Sequence, residues 1–306
     1  MISMLPNFGK LNQLEEKLAQ RLAPIEQQLQ SLSNRIPAAG TESKVVISTD
    51  EITVVQVAQF FFAFPPSQLN HALSYLNPSF DLGMRTFIAK FAKPGGHFVD
   101  IGANCGTLTA IAARVVGPQG KVVAVEPIGD LGPFIRRNAV LNAPLTPFEL
   151  HTCCAGAEDG EVSFQVFEFD NRVSTQFSYG DTGMGDQSKT IEAKVRPAKD
   201  LVPAGDNPLF VKIDAEGNEM AILNSLTGAD NPIGERDMTI VFEYAEEHFR
   251  RAGSDPAELV KLLERIGAIA RYMNPLTGEP EQEFGEKTFA NPGNLIVWLP
   301  DGLTTS

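Results

Sequence analysis

Residues 97–101 form a short apolar run, His97-Phe98-Val99-Asp100-Ile101, that passes without a break into Gly102-Ala103-Asn104-Cys105-Gly106. The stretch 107–116 that follows, beginning at Thr107, has the small and apolar residues of a buried helix. A buried strand, a turn holding two glycines and a helix leave few folds open, because this unit belongs at the carboxyl edge of an open parallel sheet. The alternation then continues. Strands are predicted over 121–125, 148–154, 210–213, 238–243, 268–273 and 294–299, and helices over 131–141, 219–226 and 257–266. Strands separated by helices of this length specify an α/β fold with a doubly wound, mostly parallel sheet. Between the third and fourth sheet strands, 161–169 and 190–195 alternate like a hairpin around a Gly-, Ser- and Asp-rich loop, 170–189.

The amino-terminal part has a different pattern. Leu11, Leu14, Leu18, Ile25, Leu29, Leu32 and Ile36 recur at three- and four-residue steps, with Leu22 slightly out of phase. This is a narrow heptad-like seam. Pro24 interrupts it, at about 3 kcal/mol for an interior helical position, so two short helices or one kinked helix are expected. The seam fits an arm for homo-oligomerisation or docking, and equally a helix folded back on its own domain. The chain divides into an arm and linker over 1–40, a cap over 41–93 built from an apolar strand or helix (45–64) and a helical stretch ending at Lys93, and a domain over 94–302 with an insertion at about 160–196.

Composition narrows the partners. Of 306 residues 43% are hydrophobic, enough for a large core, and the formal net charge of -13 repels phosphate backbones, which argues against nucleic acid as the main partner. The three cysteines, Cys105, Cys153 and Cys154, form no disulfide framework and no zinc spacing. No signal peptide is visible, and the apolar cluster 60–64 is too short to span a bilayer. A cytoplasmic location is the expectation.

The glycine spacing bears on the ligand. A dinucleotide fingerprint needs glycine at three places spaced G-x-G-x-x-G. Counted from Gly102, those places hold Gly102, Asn104 and Thr107. A side chain at 104 obstructs the close approach of a pyrophosphate. S-adenosylmethionine has no phosphate, and its cationic amino acid end suits Asp100 at the strand tip. Glu126, ending the next strand in Val123-Ala124-Val125-Glu126-Pro127, is placed to accept both ribose hydroxyls of a nucleoside. A third segment, Lys212-Ile213-Asp214-Ala215-Glu216-Gly217-Asn218-Glu219, crowds carboxylates and a lysine at another strand end. Asp214 is expected to face the cleft, while Glu216 and Glu219 fit a helix start equally well.

Together these segments resemble the FkbM family of methyltransferases. Its Asp-Val/Ile-Gly-Ala-Asn-x-Gly motif matches Asp100 to Gly106, its acidic residue ending strand two matches Glu126, and its Lys-Ile-Asp-Val-Glu-Gly-x-Glu motif matches Lys212 to Glu219 with Ala215 for Val. Val162 to Phe164 and Arg172 to Ser178 are also similar, and the resemblance spans about residues 80 to 300. It implies a Rossmann-like seven-stranded methyltransferase sheet whose last strand is antiparallel. It implies S-adenosylmethionine as cofactor and methyl transfer to a hydroxyl, commonly on a sugar, glycan or secondary metabolite. The expected cofactor contacts are Asp100, Gly102, Ala103, Asn104, Gly106, Thr107 and Glu126, and the family pattern adds Asn142.

Glu243 and His248, in Glu243-Tyr244-Ala245-Glu246-Glu247-His248, follow the fifth sheet strand. Asp214 is expected to orient the acceptor and take its proton, assisted by Glu243, Lys212 or His248. No dedicated metal site is expected. A nicotinamide-dependent oxidoreductase is the rival from another enzyme class, and a non-catalytic scaffold of the same fold is the rival without chemistry.

Overall fold

A computed structural model describes residues 43–167, 174–175, 188–228, 236–285, 288, 290 and 292–298. The heptad-like segment 10–36, its linker and most of the loop 170–189 lie outside the described residues.

The described chain opens with an antiparallel meander, β1 (Ser43–Ser48), β2 (Thr53–Val57) and β3 (Phe60–Phe64), then two helices, α1 (Leu69–Ser74) and α2 (Leu82–Phe91). The expected strand or helix over 45–64 is thus three short strands, because Asp50-Glu51 and Ala58-Gln59 break the apolar run. The alternating core follows: β4 (His97–Ile101), α3 (Thr107–Val116), β5 (Lys121–Val125), α4 (Gly132–Asn142) and β6 (Phe148–His151). A second small sheet contains β7 (Cys154–Gly156), β8 (Gly160–Phe167), β9 (Ser174–Thr175) and β10 (Ser188–Pro197). The main sheet resumes with β11 (Leu209–Ile213), α5 (Glu219–Thr227), β12 (Met238–Tyr244), α6 (Glu246–Arg251), α7 (Pro256–Ile266), β13 (Ile269–Met273), β14 (Pro280–Glu283) and β15 (Gly293–Trp298).

The main sheet has the order β14-β13-β15-β12-β11-β4-β5-β6. Strands β6, β5, β4, β11 and β12 run parallel, and β15 lies antiparallel between β12 and β13. This is the Rossmann-like methyltransferase sheet with its last strand reversed. β14 is an eighth, unexpected strand at the edge. The single strand expected over 148–154 is split, because the chain leaves the main sheet after His151 and joins β10 from Cys154 onward.

Register explains the core. Val123, Val99, Val211, Ile240 and Val297 face one another across five strands, each at most 1% exposed. They pack with Ile222 and Leu226 of α5 and Leu259 and Leu262 of α7. Burying each such side chain contributes about 1.5–3 kcal/mol. Thr109 of α3 reaches the other face of the sheet at Asp100. Helices therefore cover both faces, as a parallel sheet requires.

The segment expected as a cap belongs to the compact unit Ala38–Ser306. Two asparagines of α4 close the outer edge of β3. Asn138 accepts from Ala63 N–H at 2.7 Å and donates to Ala63 C=O at 2.9 Å, and Asn142 does the same to Phe61 at 3.0 and 2.8 Å. Side-chain amides thus stand in for a neighbouring strand, satisfying backbone groups that an open edge leaves bare. No described helix is long and apolar enough to cross a membrane.

Candidate functional site

The carboxyl ends of β4, β5 and β11 open into a cleft. Its sheet-side wall carries Gly102, Asn104, Glu126 and Asp214, and its opposite wall is built by Val162 and Phe164 of β8 and Val195 of β10. The alternating hairpin seen in the sequence is therefore one wall of the cleft.

Gly102 shapes the floor. Its φ is +75°, and a β-carbon there would lie 1.9 Å from the Asp214 carbonyl oxygen. Only glycine lets the ends of β4 and β11 approach this closely. The Gly102 and Ala103 N–H groups both donate to Val125 C=O, at 2.9 and 3.1 Å, so the turn is tied to the adjacent strand. Gly106, φ +78°, lets the start of α3 close on Ile135 of α4.

Glu126 is 6% exposed and lines the cleft. Its Oε2 accepts from Asn104 N–H at 2.8 Å and its Oε1 from Ile128 N–H at 2.9 Å. Each carboxylate oxygen has a second acceptor site, so two ligand hydroxyls fit the remaining capacity. Burial pushes its pKa up to about 7, against the two backbone donors that favour the charge.

The structure corrects the expectation for Asp100. It is fully buried and does not line the cleft. Asp100 and Lys212 are register partners on adjacent parallel strands. Lys212 Nζ lies 3.2 Å from Asp100 Oδ1, and Thr109 Oγ1 donates to Asp100 Oδ2 at 2.5 Å. Asp100 is the internal counter-ion of Lys212 and stands outside the cleft lining. Lys212 also donates to Gly102 C=O at 2.7 Å and lies 3.6 Å from Asp214 Oδ2. Burial opposes its charge, but Asp100 and Asp214 overcome this and hold its pKa above the usual lysine value. Lys212 is thus a structural tie under the turn, with Asp214 at its outer end.

Asp214 lines the cleft, and its side chain is 44% exposed. Glu216, in a left-handed backbone conformation at φ +51°, lines it too. Burial, then Asp214 and Glu243, raise the Glu216 pKa to about 8. Glu219 turns inward as a loop staple, its Oε1 accepting from Ala215 N–H at 3.0 Å and Gly217 N–H at 3.2 Å, and burial raises its pKa to about 7. Glu243 is exposed outside the lining, yet burial of its carboxyl and the field of Asp214 raise its pKa to about 7.

Two other residues do not join the site. Both ends of the Asn142 amide bond to the Phe61 backbone, and Asn142 lies outside the cleft lining. His248 is half-exposed on α6 and absent from the lining. Ala103, Gly106 and Thr107 shape the turn from behind without lining the cleft. Sequence reasoning missed Cys153 and Asn218 in the lining. Asn218 donates to Ala155 C=O at 2.8 Å and ties the start of α5 to the second sheet. Its signal was its place inside the Lys212-to-Glu219 motif.

The raised carboxyls set a pH dependence. The folded state keeps protons on Glu126 and Glu219 that an unfolded chain, titrating near 4.5, has already lost. Their stabilising contribution is complete below about pH 4.5 and is lost as pH rises through about 7. The ligand-free protein is therefore expected to melt on the order of 5 °C lower at pH 8.5 than at pH 6, as read by scanning calorimetry. A rise over that window would contradict the burial of these two groups.

A family model described as the Vibrio cholerae RfbT protein matches residues 24–299. A protein-L-isoaspartate O-methyltransferase of Triticum aestivum is 34% identical over 76 residues, which are 25% of this chain and 29% of that protein, so the match spans under a third of the wheat enzyme. Among solved structures, a SAM-dependent O-methyltransferase of Thermotoga maritima is similar with a TM-score of 0.39 and 12% identity, covering 82% of this chain and 77% of that one. A precorrin-6y C5,15-methyltransferase of Geobacter metallireducens is similar with a TM-score of 0.35 and 15% identity, over 71% and 87% of the two chains. The matching family model carries the RfbT description and not the FkbM one that the motifs resemble. With nearly the whole chain inside the match, the protein belongs to the family described as the Vibrio cholerae RfbT protein.

Proposed function

We propose that this chain is an S-adenosylmethionine-dependent O-methyltransferase acting on a hydroxyl of a sugar, glycan or secondary metabolite. The FkbM-like motifs are part of that reading. The observation that carries it is the cleft itself, with Glu126 on one strand end and Asp214 on another, above a turn that has Asn104 where a dinucleotide fingerprint has glycine. Glu126 would hold the ribose hydroxyls. The sulfonium cation suits a cleft edged by Asp214 and Glu216. Bound there, S-adenosylmethionine supplies an activated methyl group. The chain's own work is to hold the acceptor oxygen in line, which is worth on the order of 7–11 kcal/mol in well-oriented systems.

Asp214 is the residue placed to orient the acceptor hydroxyl and take its proton. Lys212, 3.6 Å from Oδ2, fixes the carboxylate from behind. Asp214→Asn keeps the shape and removes the base, and kcat is expected to fall about 100-fold or more with little change in S-adenosylhomocysteine affinity. Transfer of labelled methyl from S-adenosylmethionine into an extract of glycans and metabolites, followed by identification of the product, tests the function. Full turnover by Asp214→Asn would remove Asp214 from that role.

A further inference from the structure

Asn104 stands in the turn between β4 and α3 with a left-handed backbone, φ +49°. Asparagine is among the few residues with a β-carbon that accept this conformation. Its N–H donates to Glu126 Oε2 at 2.8 Å, and the residue lines the cleft. Its side-chain amide has an acceptor end and a donor end, and the two are not equivalent to a ligand.

Gln68 decides which end is free. It lies in a single helical turn, Pro66–Gln68, between β3 and α1, and it is 2% exposed. A buried amide is costly unless it is hydrogen-bonded. Gln68 Nε2 donates to Asn104 Oδ1 at 3.3 Å. The acceptor end of Asn104 is thereby occupied, and among the described residues no acceptor takes a hydrogen bond from its NH₂. The backbone of the turn is braced separately. Asn138 Nδ2 donates to Cys105 C=O at 2.8 Å, and Tyr75 O–H donates to Thr107 Oγ1 at 2.7 Å. Gln68 therefore acts on the Asn104 side chain, whereas the course of the turn is held by other residues.

We propose that Gln68 is a positioning residue for the cofactor, holding the Asn104 amide so that its NH₂ donates to an oxygen of the bound nucleoside. The inference rests on the cofactor reading above and deepens it. Asn104 is joined to Glu126, the residue assigned to the ribose. A ribose hydroxyl that gives its proton to Glu126 keeps lone pairs with which to accept from that NH₂.

Calorimetric titration of the full chain with S-adenosylhomocysteine tests this through a double-variant cycle. Gln68→Met removes the donor at similar length and is expected to weaken binding about fivefold. Asn104→Gly keeps the backbone N–H and accepts the left-handed turn, and it is expected to cost about tenfold. In the Asn104→Gly background, Gln68→Met is expected to change affinity by less than about twofold, because there is no amide left to orient. Gln68→Glu, which also lacks the Nε2 donor, is expected to show the same pattern and serves if a thermal melt finds the Met variant unfolded. An equal loss in both backgrounds, or no loss in the wild-type background, overturns the positioning role while the cofactor reading stands. 5′-Methylthioadenosine, which has the nucleoside without the amino acid end, is expected to lose affinity on Gln68→Met as S-adenosylhomocysteine does. A loss confined to S-adenosylhomocysteine would overturn the nucleoside contact. If wild type binds neither compound, the cofactor reading fails and this inference fails with it.

Discussion

Lys212→Met is expected to lower the melting temperature by roughly 10 °C or more. Lys212 is 5% exposed at its side chain and its partner Asp100 is fully buried. Removing one member of a buried pair leaves an uncompensated charge, which costs about 3–5 kcal/mol. For a chain of this size each kcal/mol moves the midpoint by roughly 2–4 °C. Gly102 C=O also loses its 2.7 Å donor beneath the cofactor turn. The double variant Lys212→Met, Asp100→Asn removes both charges, so it is expected to melt above the single variant. Scanning calorimetry of the three proteins at neutral pH makes the comparison. A single variant within about 2 °C of wild type would mean that the charge of Asp100 is satisfied elsewhere.

Glu126→Gln is expected to abolish most of the affinity for S-adenosylhomocysteine. Both carboxylate oxygens already accept backbone N–H groups, from Asn104 and Ile128. An amide must set its own NH₂ against one of those donors. It also loses the charge that strengthens two ribose hydrogen bonds. Hydrogen bonds to charged groups contribute about 1.5–3 kcal/mol each, so losing two weakens binding by on the order of 100-fold or more. Calorimetric titration reads this directly, and a thermal melt shows whether the variant is folded. Retained affinity in a folded variant would place the nucleoside elsewhere in the cleft.

The central strands were legible in the sequence because each is a buried apolar run ending at a glycine or a carboxylate. That pattern located β4, β5, β11 and β12, whose carboxyl tips form the cleft. The role of Asp100 was misread because its partner is remote in the chain. Only the parallel register that sets Lys212 opposite it shows a buried pair instead of a ligand group. Asn142 was misread for a related reason: the edge of β3 that it seals is not visible until the meander is folded. His248 has a titratable ring near a strand end in sequence, but α6 holds it outside the lining. Single carboxylates at strand tips can be read from sequence. Networks joining distant segments require the fold.

The most direct measurement is calorimetric titration of the full chain with S-adenosylhomocysteine and, separately, with NAD. Saturable binding of S-adenosylhomocysteine and none of NAD is the expected result, with a rise in melting temperature of the matching sign, since only a ligand of the native state stabilises it. Binding of NAD without S-adenosylhomocysteine would show that Asn104 leaves room for a pyrophosphate, and would contradict methyl transfer as the chemistry of this cleft.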